Sequence, residues 1–115
     1  MPRVLLHLEG AAVAIAAVAL YAHEGYSWLL LAVLVLAPDL AALGFLAGPR
    51  VGAVTYNAAH TTVAPVILGT VGVLTSSSTA IAVALIWLLH IGGDRAIGYG
   101  LKYPSGFKDT HLNRV

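Results

Sequence analysis

Four long apolar runs take up nearly the whole chain, and they predict helices at about residues 4–22, 28–47, 51–74 and 79–95. Roughly 20 apolar residues cross the ~30 Å hydrocarbon core of a bilayer as a helix. A helix satisfies its own backbone hydrogen bonds, which lipid cannot do for it. The expected fold is therefore all-α: one integral membrane domain over residues 1–115, a four-helix transmembrane bundle closed by an ordered C-terminal segment at 96–115. Composition agrees, with 59% hydrophobic and 10% charged residues, where a soluble domain carries roughly a quarter charged. The first run begins after Arg3 and is rich in alanine, as an export signal would be. Glu9 interrupts it, however, and three further runs follow with no soluble passenger, so it reads as a retained first helix.

Charge placement orients the bundle. Arg3 precedes the first helix, Arg50 lies in the second link, and Arg95, Lys102, Lys108 and Arg114 fall at or after the end of the fourth. The links at 23–27 and 75–78 hold no Lys or Arg. All the basic residues thus share one side of a four-pass arrangement, and the positive-inside rule makes that side cytoplasmic. The expectation is a multi-pass protein of the bacterial inner membrane with both termini in the cytoplasm. The chain has no cysteine, which excludes disulfides, thiolate metal sites and cysteine nucleophiles. It has neither a glycine-rich phosphate loop nor a basic stripe with interleaved aromatics, so no nucleic-acid partner is expected.

Against this apolar background six polar side chains stand out: Glu9, Asp39, Asn57, His60, His90 and Asp94. At ~1.5 Å rise per residue, Glu9 lies roughly 8 Å, Asp39 roughly 12 Å, Asn57 and His60 about 9 and 14 Å, and His90 about 5 to 8 Å from the cytoplasmic ends of their helices. Ionisable groups at such depth are costly and mark functional sites. Tyr56, Asn57, His60 and Thr61 share a face of the third helix, and Trp87, His90 and Asp94 form a stripe on the fourth. Pro38 and Pro65 are expected to kink the helices beside this group. Gly44 with Gly48, and Gly69 with Gly72, offer close-approach surfaces for helix packing or for a homodimer.

The tail carries Tyr99, Lys102, Tyr103, Phe107 and Lys108 among glycines and Pro104. This is the composition of a folded interfacial loop. It emerges on the face of the polar group, so Arg95, Tyr99, Lys102 and His111 are the expected substrate-binding residues at the mouth. Three stretches, Tyr56-Asn57-Ala58-Ala59-His60, His90 through Tyr103 and Gly106 through Leu112, resemble a family of small bacterial four-helix membrane proteins catalogued only as a domain of unknown function. The resemblance covers essentially the whole chain. It implies a membrane bundle and marks these motif positions as the site, and it supplies no reaction.

Carboxylates and imidazoles on facing helices bind zinc, iron or manganese. Asp39, His60, His90 and Asp94 are the expected ligands, with Glu9 as a further ligand or base. Such a metal would act on a lipid headgroup or other lipid-linked substrate, making the protein a membrane-embedded hydrolase or transferase. Metal-free acid–base chemistry by the same residues is a second reading. Ion or proton transport is a third, and bis-histidine haem ligation by His60 and His90 a fourth. Structurally, the same groups would only hydrogen-bond helices together. Of the other polar residues, His7 reads as interfacial, His23 and Glu24 as solvated, and Tyr21, Tyr26 and Trp28 as an outer aromatic belt. The run from Thr75 to Thr79 reads as a polar turn that caps the fourth helix.

Overall fold

The computed structural model describes residues 2–101 and 110–114. Among them, four helical stretches are long and apolar enough to cross a membrane: Pro2–His23, Trp28–Ala47, Pro49–Leu74 and Ser78–Ala96. The first and last are continuous α-helices, α1 (Pro2–His23) and α5 (Ser78–Ala96). The middle two are broken. The second consists of α2 (Trp28–Leu34) followed by a 3₁₀ helix (Ala37–Ala47), and the third of α3 (Pro49–His60) and α4 (Val63–Leu74). Side chains cap the starts of α2 and α5, where Ser27 and Ser77 accept from the backbone N–H groups of Leu30 and Ala80. The polar turn before α5 therefore does what its sequence predicts.

α5 is the central helix. On one side α1 packs antiparallel to it at close range: a Cβ on Gly92 would lie 2.7 Å from both the Ala14 nitrogen and the Gly10 oxygen. On another side Gly69 and Gly72 of α4 approach Ala84 and Ile81. Tyr21, Ala82 and Ile86 form the buried core, covered by Tyr26, Leu30, Leu31 and Leu34. Tyr21 is thus a core residue and not a lipid-facing belt residue. Its ring lies 5.4 Å from that of Tyr26 and 5.5 Å from that of Trp28, and its hydroxyl donates to the Ser27 carbonyl.

The 3₁₀ helix runs for 11 residues, although such helices seldom exceed three or four. A three-residue repeat in its sequence supports it. Leu40, Leu43 and Leu46 form one exposed ridge, while Gly44, on another face, packs on Thr55 of α3 closely enough that a Cβ would meet Oγ1 at 2.0 Å. Gly52 of α3 in turn accommodates the Phe45 ring. The Gly44 surface is thus used within the chain. Gly48 instead forms the turn into α3 with φ +121°, a conformation that glycine adopts readily. Thr55 Oγ1 donates to the Ala41 carbonyl at 2.8 Å. Thr55→Val removes that donor and is expected to cost about 1 kcal/mol. Thermal unfolding in detergent reads it, and an unchanged midpoint would mean that the bond does not hold the 3₁₀ helix.

Candidate metal centre

Each break in a spanning segment frees backbone carbonyls, and side chains of α5 take them up. Pro38 has no N–H, and the backbone N–H of Asp39 donates to the Leu36 carbonyl in 3₁₀ fashion at 3.0 Å. In an α-helix that N–H would bond the Val35 carbonyl. The Val35 carbonyl instead accepts from His90 Nδ1 at 2.6 Å. At the end of α3, the Ala59 carbonyl accepts from Trp87 Nε1 at 2.5 Å, and the His60 carbonyl from Arg95 Nη2 at 3.4 Å. Non-helical backbone at membrane depth is tolerated where protein groups satisfy it in this way.

The same bonds orient the histidines. His60 Nδ1 contacts the Tyr56 carbonyl at 2.8 Å, and the His60 ring stacks on the Tyr56 ring with centroids 3.7 Å apart and planes 6° apart. A carbonyl only accepts, so each imidazole carries a proton on Nδ1, and in the neutral ring Nε2 presents a lone pair. The two Nε2 atoms lie 3.1 Å from each other. Asp39 Oδ1 lies 3.1 Å from His60 Nε2 and 3.0 Å from that of His90. Asp94 Oδ2 lies 3.5 and 3.1 Å from the same atoms. The ligand atoms of all four residues fall within 4.8 Å of one another. Asp94 Oδ2 is buried and accepts no hydrogen bond among the described residues. Both histidine side chains are 4% exposed and Asp94 18%, but Asp39 is 50% exposed, so the group opens on the Asp39 side.

With both imidazoles neutral, four acceptors converge with no donor among them. Two carboxylates bring two negative charges into a low-dielectric setting, and a divalent cation would cancel them. Bonds of 2.0 to 2.2 Å from nitrogen and oxygen to a tetrahedral ion imply edges of roughly 3.3 to 3.6 Å. Five of the six edges measure 3.0 to 3.5 Å, four of them 0.2 to 0.3 Å below the tetrahedral range, so the ligands would part slightly around an ion. The Nδ1–H bonds to carbonyls are the outer contacts that metal-bound histidines characteristically make.

Of the six residues singled out by depth, the structure brings together Asp39, His60, His90 and Asp94. Glu9 is not among them. It lies near the level of Asp94, but its neighbour Gly10 faces α5, against Arg95 and Ala96, and the Glu9 side chain is exposed on the outer surface of α1. Asn57 is half-buried on α3, three residues before His60. Of the expected mouth residues, Arg95 is half-buried and spends one N–H on the His60 carbonyl, Tyr99 is 59% exposed, and Lys102 lies outside the described residues. His111 is tied to the chain's own backbone: its Nδ1 accepts from the Leu101 N–H at 2.8 Å, and its backbone N–H donates to the Leu101 carbonyl. Burial, reinforced by the Arg95 cation, lowers the His111 pKa from the ordinary imidazole value. It is therefore neutral at pH 7 and offers no charge to an anion.

His7, read from the sequence as interfacial, holds the end of α5 by contacting the Ala96 carbonyl through Nδ1 at 3.1 Å. Trp87 proves to be a positioning residue for the break beside His60. A tryptophan one turn before a histidine, facing a proline-weakened span, was the signal for it.

Comparison with curated proteins and with solved structures returned no match. The model of one family, described as Domain of unknown function (DUF4260), matches residues 3–115. The chain belongs to that family.

Proposed function

We propose that this protein is a membrane-embedded metalloenzyme that acts on a lipid or lipid-linked substrate at the cytoplasmic leaflet. Asp39, His60, His90 and Asp94 hold one zinc, iron or manganese ion. The observation that carries the reading is the convergence of four acceptor atoms, with both imidazole Nδ1–H groups already spent on the Val35 and Tyr56 carbonyls. Mixed nitrogen and oxygen donors favour these three metals over calcium or magnesium, which take oxygen alone, and over copper(I), which takes sulfur. The single-sided distribution of all Lys and Arg residues supports the cytoplasmic placement.

With water as a fifth ligand on the open Asp39 side, a bound ion would supply a Lewis acid and an acidified water at neutral pH. Asp39 is the half-exposed ligand, and its carboxylate would take up the proton that water gives up. His60, His90 and Asp94 are buried and hold the geometry fixed. Hydrolysis of an ester or phosphoester then consumes one water. The C–O or P–O bond breaks, the acid fragment keeps the hydroxyl, and the alcohol leaves with the proton.

Elemental analysis of the detergent-purified protein tests the proposal, beside a His60→Ala, His90→Ala double variant. About one equivalent of zinc, iron or manganese is expected in the wild type, with less than a tenth of that in the variant. Absence of metal from the wild type, even after incubation with each ion, would overturn the reading.

A further inference from the structure

Next to the four ligands lies an apolar cavity of about 290 Å³, at the small end of the range for ligand sites. Its lining follows the ligands residue by residue. Pro38 precedes Asp39, Ala59 precedes His60, and Trp87 lies one turn before His90. From there the wall continues along α5 through Ile86 to Val83, with Leu34 of α2 opposite. Seven residues of α5 separate Val83 from His90, which is about 10 Å along the helix. The one polar lining group, the Trp87 indole N–H, is already bonded to the Ala59 carbonyl. The cavity thus offers no donor to a headgroup or to water.

We infer that this cavity seats one hydrocarbon chain of the substrate, held with its oxygen-bearing end at the Asp39, His60, His90 and Asp94 centre and its tail toward Val83. The substrate class is accordingly a single-chain amphiphile, or one chain of a larger lipid, cleaved or modified at the first polar group. The inference rests on the metal reading and adds the direction and length of the substrate. Val83 and Leu34, at the far end, set the length. Each methylene that enters should multiply affinity roughly fourfold, until Val83 stops the chain.

The probe is a series of alkyl hydroxamates, from acetohydroxamate to the sixteen-carbon member, titrated against zinc-loaded protein whose metal content is measured on the same sample. Comparing variants at a fixed micelle concentration cancels partition into detergent. Affinity in the wild type should rise with chain length and then level off. Val83→Phe should leave acetohydroxamate unchanged and weaken the long members at least tenfold. Val83→Ala, which removes volume and does not threaten the packing, should move the plateau to longer chains. Zinc-loaded protein with the same profile in wild type and Val83→Ala would overturn the cavity inference and leave the metal reading intact. Protein that holds no zinc would overturn the metal reading, and this inference with it.

Discussion

Asp94→Asn is expected to weaken metal binding by at least about 10²-fold and, at the same time, to make the metal-free protein more stable. The first effect follows because an amide is a poor ligand where a carboxylate belongs, and even contacts one shell further out are worth roughly 10- to 100-fold in affinity. The second follows from the accounting of donors. Without metal, Asp94 Oδ2 is a buried acceptor facing two nitrogen lone pairs at 3.1 and 3.5 Å. An asparagine amide places N–H donors there and removes a buried negative charge. The gain should be about 1 kcal/mol or more. A site kept for function is commonly a site where stability is given up. A junction kept only to join helices predicts the opposite sign, because losing the carboxylate would then remove a bond. Unfolding of chelator-treated wild type and Asp94→Asn in detergent decides between the two, and a destabilised variant would count against a metal centre.

Depth was legible in the sequence, and direction was not. Counting residues inward from the basic ends placed Asp39, His60 and His90 at similar depth, roughly 5 to 14 Å in, the i, i+4 spacing tied Asp94 to His90, and the structure joins all four. The same count placed Glu9 there, and at its level it is right. What the count lacks is the angle around the helix axis. α1 is apolar all round, so no amphipathic stripe distinguishes its inner face. Gly10, the neighbour of Glu9, takes the position against α5 because it alone lets the helices approach there.

The broken spans were half legible. Pro38 and Pro65 announce kinks, but a proline alone does not say that the chain continues as a 3₁₀ helix. The Leu40, Leu43, Leu46 triplet does, since a period of three lines up on a 3₁₀ helix and drifts on an α-helix. It passes unnoticed in a run this uniformly apolar. The pairing of His90 with the Val35 carbonyl could not be read at all. It joins residues 55 apart in the chain and depends on where a freed carbonyl points.

Gly92→Ala is expected to destabilise the protein by about 1 to 3 kcal/mol and yet leave the metal site able to bind. The added methyl would sit 2.7 Å from the Ala14 nitrogen and the Gly10 oxygen. Both are backbone atoms of α1, and neither can swing aside as a side chain does, so α1 and α5 must part. His90 and Asp94 stand two residues before and after Gly92, about 200° around α5 from it. They face the broken spans while Gly92 faces α1, so the strain falls on one side of α5 and the ligands on the other. If the ligands keep their geometry, metal at 100 times its dissociation constant stabilises the folded state by about 2.7 kcal/mol. Adding zinc should therefore restore most of what Gly92→Ala loses, while Asp94→Asn gains at most about 0.4 kcal/mol from the same addition. Thermal unfolding of both variants, with and without the ion, gives the comparison. Failure of zinc to rescue Gly92→Ala would mean that the α1–α5 contact sets the ligand geometry, so that both faces of α5 act as one unit.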